Sequence, residues 1–556
     1  VHTTVAEIRA GTANATLTAN NGSISDDGLG TTAIRAGAVA LAAGGDIGLG
    51  DKIETQTSAL SATAGASINV QDLNTDGVEL VNILAGDGPI ALATSGDTVA
   101  TSVSVAVNAA GGDITLAVAN GGLEVDTIDA NVLGDVGITL GNGSVTDADG
   151  DSAIEAAELS INVVGGNIGT RDLAINTAAT RYLDIATVAG DINLNEADAV
   201  EVTGLNTTAS GNIWLQAGNS ITQTQGTQIS AGTVGNTNDG DITLITLAGD
   251  VLLEDVYADL DSVTVNAFRG INQTGDDATA EITASNVTLT AAEEIAGDTV
   301  NTQELDLSAT NISATTTAAD GFINIDNSHV LDTVVSLSTT GNGADESITF
   351  EMLGGGNLTV DSATTVDGDI NILGTSADVT VVSANAGGDN NIDVATTGSN
   401  DVFVGDVEAL GNTITINSSA SIEEFGNDVD PDLTAANLNL DAVAGIGNDA
   451  TLETAAQNIA VDSSAGGESI DIENQSATDA TVSSATIAGG AGNISISQTD
   501  GGALAVTNTT TANGSIALAN DGNGLLVGTL NAGGTSTASL TTTDAGDIFV
   551  DSATAG

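Results

Sequence analysis

Apolar and polar residues alternate along this chain in short segments, each of which follows a glycine and a polar residue. The segment Gly-Asp/Asn-Ile-x-Leu occurs at residues 112–116, 190–194, 211–215 and 240–244. Alternation of this kind is the period of a strand with one buried face, because successive side chains point to opposite sides of a strand. Glycine followed by Asp or Asn is typical of a turn. The pattern therefore predicts short strands joined at tight corners.

The first apolar residue of these segments recurs at an almost constant interval. In the early part of the chain it falls at Ile24, Ile47, Ile68, Ile90, Ile114 and Ile138, and later at Ile348, Ile370, Ile392 and Ile414. The later residues are 22 positions apart, and the earlier ones 21 to 24. A repeat this short cannot bury a core alone, so its copies are expected to stack. Leucine-rich repeats are excluded by the sparse leucine, and helices by the 69 glycines, each costing about 1 kcal/mol inside a helix.

The sequence thus predicts an all-β fold, a single-stranded parallel β-helix (β-solenoid) with about 22–24 residues per turn and roughly 24 turns. We expect residues 1–556 to form one continuous β-helix rod, because a solenoid grows in one dimension and need not divide into globular domains. A rise of about 4.8 Å per turn gives a rod on the order of 115 Å. Neither end of the sequence has the pattern of a polar cap, so we expect a segment of a longer chain or a unit that docks end to end.

The composition of the chain limits the classes of molecule that it can bind. Seventy-five acidic residues face only six basic ones, which gives a formal net charge of −69. A nucleic-acid partner is excluded, because binding phosphates requires Lys and Arg. A surface this acidic repels itself, so a saline setting, divalent cations or both are expected. The absence of Cys excludes disulfides and thiolate zinc sites, and no apolar run is long enough for a membrane span. Apolar residues make up 41% of the chain and lie in segments that have the period of a strand. This pattern favours a folded chain over disorder.

A longer pattern covers two consecutive turns and occurs four times. Its opening and closing apolar residues are Ile24 and Ile47, Val145 and Ile168, Ile271 and Ile295, and Ile422 and Ile446. Within it the phrases Gly-Ser-Ile, Ile-Thr-Ala-x-x-Val-x-Leu-x-Ala (residues 282–291) and Gly-x-Ile-Gly recur with variation. One pair of turns has therefore been duplicated and varied.

These phrases resemble the repeats of filamentous-haemagglutinin-type exoproteins and related large bacterial surface-layer-type proteins, over nearly the whole chain. The resemblance implies a right-handed parallel β-helix on the cell exterior that serves adhesion, biofilm, surface-layer or filament assembly. The N-terminal secretion domain of that family is not recognisable in this sequence, which leaves the export route open.

One acidic segment has the spacing of a calcium loop. Asp147, Asp149, Asp151 and Glu158 occupy positions 1, 3, 5 and 12 of an EF-hand-type loop, where oxygen ligands can surround one hard cation. Position 6 is Ser152 in place of the usual glycine, and no helix is expected beside the loop. Two interpretations stay open, a Ca²⁺ site held by the four carboxylates and an ordinary acidic loop. The cluster Asp428, Asp430 and Asp432 is interpreted as a solvated acidic face.

We predict an extracellular, non-catalytic structural protein that forms a rod in a surface filament, sheath, surface layer or adhesin. Ca²⁺ is the only cofactor expected, and the expected partners are further copies, end to end or side by side, or a glycan or cell surface. One alternative is a β-helical carbohydrate-active enzyme, which would be a lyase or a glycoside hydrolase. The other is a glycan-binding adhesin module. No catalytic residue is assigned, because stacked turns bring carboxylates to catalytic distances easily. Long irregular loops around one groove would favour the enzyme, and short corners the structural protein.

Overall fold

The computed structural model describes residues 2–30, 33–106, 112–232, 240–275, 279–297, 303–343, 346–465, 467–543 and 546–556. These residues form strands and no helix. The strands pair in parallel and stack as a β-solenoid of about 23 turns, which confirms the predicted fold class. Two compact units are present, Val1–Gly275 with Glu281–Ser285 and Asp276–Ala280 with Asn286–Gly556. That residues 1–556 form one continuous rod stays a prediction.

Most strands of the first unit have two to six residues. They are β1 Thr3–Val5, β2 Ile8–Arg9, β3 Ala15–Ala19, β4 Ile24–Asp26, β5 Ile34–Arg35, β6 Ala38–Ala43, β7 Ile53–Gln56, β8 Ala59–Ala64, β9 Ile68–Asp72, β10 Val78–Ala85, β11 Ile90–Thr94, β12 Thr98–Ala100, β13 Val103–Val105, β14 Ile114–Val118, β15 Leu123–Val125, β16 Thr127–Asp129, β17 Val136–Leu140, β18 Val145–Thr146, β19 Ala153–Val163, β20 Ile175–Thr187, β21 Ile192–Glu196, β22 Val200–Val202, β23 Leu205–Thr207, β24 Ile213–Ala217, β25 Ile221–Gln223, β26 Ile229–Ala231, β27 Ile242–Thr246, β28 Val251–Leu253, β29 Val256–Asn266 and β30 Ile271–Gln273.

Strand β31, Ile282–Ala291, contains the division between the units. The strands of the second unit are longer. They are β32 Leu305–Thr316, β33 Ile323–Asn327, β34 Thr333–Thr339, β35 Ile348–Met352, β36 Leu358–Thr365, β37 Ile370–Thr375, β38 Val379–Ala386, β39 Ile392–Thr397, β40 Val402–Ser418, β41 Ile422–Glu424, β42 Leu433–Ala442, β43 Leu452–Ser463, β44 Ile470–Gln475, β45 Ala480–Ile487, β46 Ile494–Thr499, β47 Leu504–Thr511, β48 Ile516–Asn520, β49 Gly524–Ala532, β50 Ala538–Thr542 and β51 Asp547–Ala555.

Isoleucines stack directly over one another in the second unit. Ile348 pairs with Ile370, Ile370 with Ile392, and Ile392 with Ile414, and all four side chains are fully buried. Identical side chains at the same place in successive turns present the same shape to each other, which suits the close packing of a protein interior. The prediction that these four isoleucines lie one turn apart is therefore confirmed.

The corresponding ladder of the first unit follows the prediction up to Ile114. Ile68 pairs with Ile90 and Ile90 with Ile114. The next rung, however, is Val136, whereas Ile138 pairs with Leu116. The predicted place of Ile138 in the ladder is therefore wrong by two residues. Both Val136 and Ile138 are buried, because residues two apart on a strand share a face.

The two-turn pattern is also reproduced in space. Ile24 lies beside Ile47, Val145 beside Ile168, and Ile422 beside Ile446, in each case as a parallel bridge between adjacent turns. The opening and closing residues of each of these copies are thus neighbours along the stack.

Buried polar side chains close some of the corners, a feature that the sequence analysis did not predict. The inward corner residues are Asp72, Glu196, Asn327 and Asn474, each the fifth residue of its strand segment. Each accepts a hydrogen bond from a backbone N–H of the preceding turn, at 2.9–3.1 Å. A buried N–H left without a partner is costly, so these side chains stabilise the junction of two turns.

Candidate cation sites and the acidic surface

The first six residues of the predicted calcium loop, 147–152, connect β18 to β19, and its last six, 153–158, belong to β19. Asp147 is buried, and both of its carboxylate oxygens accept hydrogen bonds from the loop backbone. Oδ1 accepts from the N–H of Asp149 at 3.1 Å and of Gly150 at 2.8 Å, and Oδ2 accepts from the N–H of Ser152 at 3.0 Å. Asp147 therefore folds the loop around its own side chain.

Asp149 and Asp151 approach Asp147 from the solvent side. One carboxylate oxygen of each of the three residues lies within 4.8 Å of the other two. Burial raises the pKa of Asp147, but its hydrogen bonds outweigh that effect, so the pKa lies below its usual value. A hydrogen bond with Asp149 and the charge of Asp149 raise the pKa of Asp151. The three carboxylates are close enough to share one cation.

Glu158 does not join this cluster. It lies on β19 opposite Arg181, and its Oε1 forms an ion pair with Nη1 of Arg181 at 2.8 Å. Nη2 of Arg181 also contacts Oε2 of Glu201 in the following turn, at 2.9 Å. The structure thus brings together three of the four predicted ligands, and the fourth belongs to an ion-pair ladder. Ca²⁺ binding at Asp147, Asp149 and Asp151 stays a prediction.

A second group of carboxylates comes together in the other unit. One oxygen each of Glu424, Asp432 and Glu453 lies within 4.8 Å of the other two. Sequence reasoning selected Asp432 only as a neighbour of Asp428 and Asp430, and it missed both glutamates. Glu424 and Glu453 lie in different turns of the stack, so the register of the strands was the only signal that would have found them.

An acidic column runs along the strands of a further face. Asp326 pairs with Asp306 in the preceding turn and with Glu351 in the following turn. Burial, followed by the charges of Glu351, Glu304 and Asp306, raises the pKa of Asp326 to about 7. Carboxylates one strand spacing apart repel each other, so at neutral pH this column weakens its own sheet.

The raised pKa predicts a pH-dependent effect of Asp326→Asn. The folded pKa of about 7 lies above the unfolded value of 3.8, so the native state holds the proton more tightly, and stability is lost as the pH rises between these values. After allowance for solvent screening, we expect Asp326→Asn to raise the free energy of unfolding at pH 8 by about 1–2 kcal/mol. The gain should fall to less than half at pH 5. Urea unfolding at both pH values measures it.

Asp393→Asn, which removes an exposed carboxylate in the same unit, is the control for the loss of one negative charge. A gain for Asp326→Asn of equal size at both pH values would show that the effect does not come from the titration of Asp326.

Two aromatic residues of the first unit, Trp214 and Tyr182, are engaged within the fold. The ring of Trp214 is covered by the guanidinium of Arg171, whose Cζ lies 4.3 Å from the ring centroid. Tyr182 is fully buried. Cation–π contact of this kind stabilises the turn and occupies one face of the only tryptophan in the sequence.

Comparison with protein-family models, curated proteins and solved structures finds no match to this chain. The resemblance to filamentous-haemagglutinin-type repeats stays a prediction. In the part of the chain that the structure describes, no helix has the length and apolar character needed to cross a bilayer.

Proposed function

We propose that this chain is a non-catalytic structural component of an extracellular filament, sheath, surface layer or adhesin. The observation that carries the proposal is the shortness of the corners between stacked strands. Residues 73–77, 86–89 and 95–97 connect strands β9 to β12, and residues 353–357, 366–369 and 376–378 connect β35 to β38. Longer connections occur at residues 164–174, 425–432 and 443–451. Corners of three to five residues, however, leave little room for a loop-lined groove, which is where enzymes usually place catalytic residues.

Continuous hydrogen-bonded ladders suit a mechanical role. In each unit, parallel strands of successive turns keep the same register over several turns, as in β35, β37, β39 and β40. Backbone hydrogen bonds between neighbouring turns then all run along the direction of stacking. Separating the turns requires breaking them together, so such a stack resists extension.

The acidic surface supports an assembly that depends on cations. With a formal charge of −69, copies of the chain repel each other at low salt. Divalent cations that bridge carboxylates of two copies would reverse this repulsion. We therefore propose self-association, side by side or end to end, in the presence of Ca²⁺. We also propose a glycan or a cell surface as a partner. Trp214 does not support a glycan partner, because Arg171 covers one face of its ring.

Sedimentation velocity tests the proposal. The purified chain is measured at constant ionic strength while Ca²⁺ replaces Na⁺ up to about 10 mM, a range that covers the affinities of extracellular Ca²⁺ modules. We expect the sedimentation coefficient to rise and to return to its starting value on chelation. A monomer at every Ca²⁺ concentration, together with depolymerisation of an acidic polysaccharide, would favour the carbohydrate-active enzyme instead.

A further inference from the structure

Three acidic side chains are buried together at one corner of the second unit. Glu424 is the last residue of β41, Asp432 precedes β42, and Glu453 is the second residue of β43. Asp432 and Glu453 are held against each other by their backbones. The Asp432 N–H donates to the Glu453 carbonyl at 2.9 Å, and the Glu453 N–H donates to Asp432 Oδ2 at 3.1 Å. The strand register, not the loop 425–431, therefore sets the positions of these two residues.

No Lys or Arg of this half of the sequence compensates the negative charge buried at this corner. Only 9% of Glu424, 5% of Asp432 and 8% of Glu453 is exposed. No Lys or Arg occurs in the sequence after Arg269. Buried carboxylates ordinarily pair with a basic side chain or bind a metal ion, because an isolated buried charge is very costly. In this half of the sequence no Lys or Arg is available, and the one histidine, His329, contacts Ser308.

Glu453 provides a second and independent observation. Its Oε2 is buried and has no hydrogen-bond partner, although the side chain directs its carboxylate to Glu424 and Asp432. Almost all buried polar atoms in proteins have a partner, so an orphaned one requires an explanation. A bound cation at the centre of the three carboxylates would supply the missing partner.

We propose that Glu424, Asp432 and Glu453 form a Ca²⁺ site. Ca²⁺ takes oxygen ligands at 2.3–2.6 Å, so two oxygens on the same ion lie at most about 5 Å apart. The three carboxylate oxygens meet this condition, since they lie within 4.8 Å of one another. Three carboxylates leave positions for water, which completes the six to eight ligands that Ca²⁺ prefers.

The raised pKa values of two of these carboxylates agree with this assignment. Burial, followed by the charge of Glu424, raises the pKa of Glu453 to about 7. Burial also raises the pKa of Asp432 to about 8, to which the charges of Glu424 and Glu453 contribute. Burial thus disfavours the ionised forms of Asp432 and Glu453, a cost that a bound cation would offset.

A cation can reach the site from solvent. A cavity of about 620 Å³ lies beside the corner and is lined by Asp432 together with Asp406, Asp428, Asp430 and Phe425. Its carboxylates concentrate cations at the entrance. The cluster Asp428, Asp430 and Asp432, interpreted from the sequence as a solvated face, therefore contributes one inner ligand and an acidic entrance.

The equivalent corner of the first unit contains a partial copy of this arrangement. Asp26 ends the strand that begins at Ile24, as Glu424 ends the strand that begins at Ile422, and Glu54 precedes Thr55 as Glu453 precedes Thr454. Asp26 and Glu54 each leave one buried carboxylate oxygen without a hydrogen-bond partner. The position of Asp432 is occupied there by Ala33, because Ile34 pairs with Thr55 as Leu433 pairs with Thr454. Of these two copies, the earlier one thus has two carboxylates at this corner and the later one has three.

Hydrogen exchange of the full chain tests the site locally. The chain is measured by mass spectrometry with and without about 1 mM Ca²⁺, in about 0.5 M KCl to screen weak surface binding. For a Kd of about 10⁻⁴ M, exchange in residues 424–434 and 450–456 should slow about ten-fold on addition of Ca²⁺. The readout is local, so it does not depend on whether the chain assembles.

Glu453→Gln removes one ligand charge and keeps the shape of the side chain. We expect Ca²⁺ to slow exchange in this variant less than two-fold, and the variant to be protected in the absence of Ca²⁺ at least as well as the original chain. Glu468→Gln, the same change at an exposed position of the same unit, should respond like the original chain. If Glu453→Gln does not fold, Asp432→Asn is measured in the same way. No protection of the original chain, or equal protection of both chains, would overturn the proposal.

Discussion

Replacing Ile370 by Asp is expected to lower the free energy of unfolding by about 4 kcal/mol or more. Ile370 is fully buried between Ile348 and Ile392, so the new carboxylate would have isoleucines on both sides along the stack. No Lys or Arg of the second unit can pair with it, because none occurs after Arg269. Hydrogen exchange should show loss of protection in β35, β37 and β39, since each turn of a solenoid is stabilised by its neighbours.

Two control variants separate charge burial from other effects. Ile370→Val removes one methylene group and should cost about 1 kcal/mol. Thr349→Asp introduces the same carboxylate on the solvent side of the neighbouring strand, where Thr349 pairs with Asn371, and should cost less than about 1 kcal/mol. An Ile370→Asp variant no less stable than Thr349→Asp would contradict the assigned ladder.

The second large effect is expected at an inward corner residue. Glu196 Oε2 accepts hydrogen bonds from Thr177 Oγ1 at 2.7 Å, from the Ala179 N–H at 3.0 Å and from the Tyr182 hydroxyl at 3.2 Å. Thr177 and Tyr182 are buried and their hydroxyl oxygens lie 2.5 Å apart, so in Glu196→Ala the two hydroxyls can bond to each other, whereas the Ala179 N–H loses its partner. We expect the free energy of unfolding to fall by about 3 kcal/mol.

Trp214 provides the measurement for this variant. It is the only tryptophan of the sequence and lies in the turn after Glu196, opposite Asn193. Its fluorescence in urea therefore reports on the turns that Glu196 joins. Glu196→Gln keeps an acceptor oxygen and should cost about 1 kcal/mol, as should Tyr182→Phe, which removes one of the three donors. If Glu196→Ala unfolds at the same urea concentration as Glu196→Gln, the corner network does not contribute as described.

Much of the fold could be predicted because the repeat encodes it locally. Equal spacing of Ile348, Ile370, Ile392 and Ile414 was enough to predict that they stack. The error at Ile138 has a physical cause: Val136 and Ile138 both point inward, and spacing alone does not say which of them begins the strand. Alternation fixes the face on which a residue lies, whereas only hydrogen-bonded register fixes its partner.

The inward corner residues were missed for a different reason. Asp72 and Glu196 follow the inward parity of their strands, but their polarity suggests an outward side chain. Their burial is possible only because backbone N–H groups of the preceding turn supply hydrogen bonds. That compensation comes from a segment 15 to 17 residues earlier, which the local pattern does not contain.

The two candidate cation sites differ in the same way in how far the sequence reveals them. Asp147, Asp149 and Asp151 are close in sequence, so a loop motif found them. Glu158 fails to join them because five residues of extended strand from Ala153 carry it about 17 Å along β19, whereas the EF-hand pattern assumes a helix at that point. Glu424 and Glu453 lie on two different strands and Asp432 directly precedes a third, and no spacing within one segment reveals such a group.

Negative-stain electron microscopy of the purified chain, with and without about 1 mM Ca²⁺, tests the proposed structural role most directly. The proposal predicts fibres or sheets that form with Ca²⁺ and disperse when it is chelated. Single dispersed particles both with and without Ca²⁺, at every protein concentration measured, would contradict the proposal.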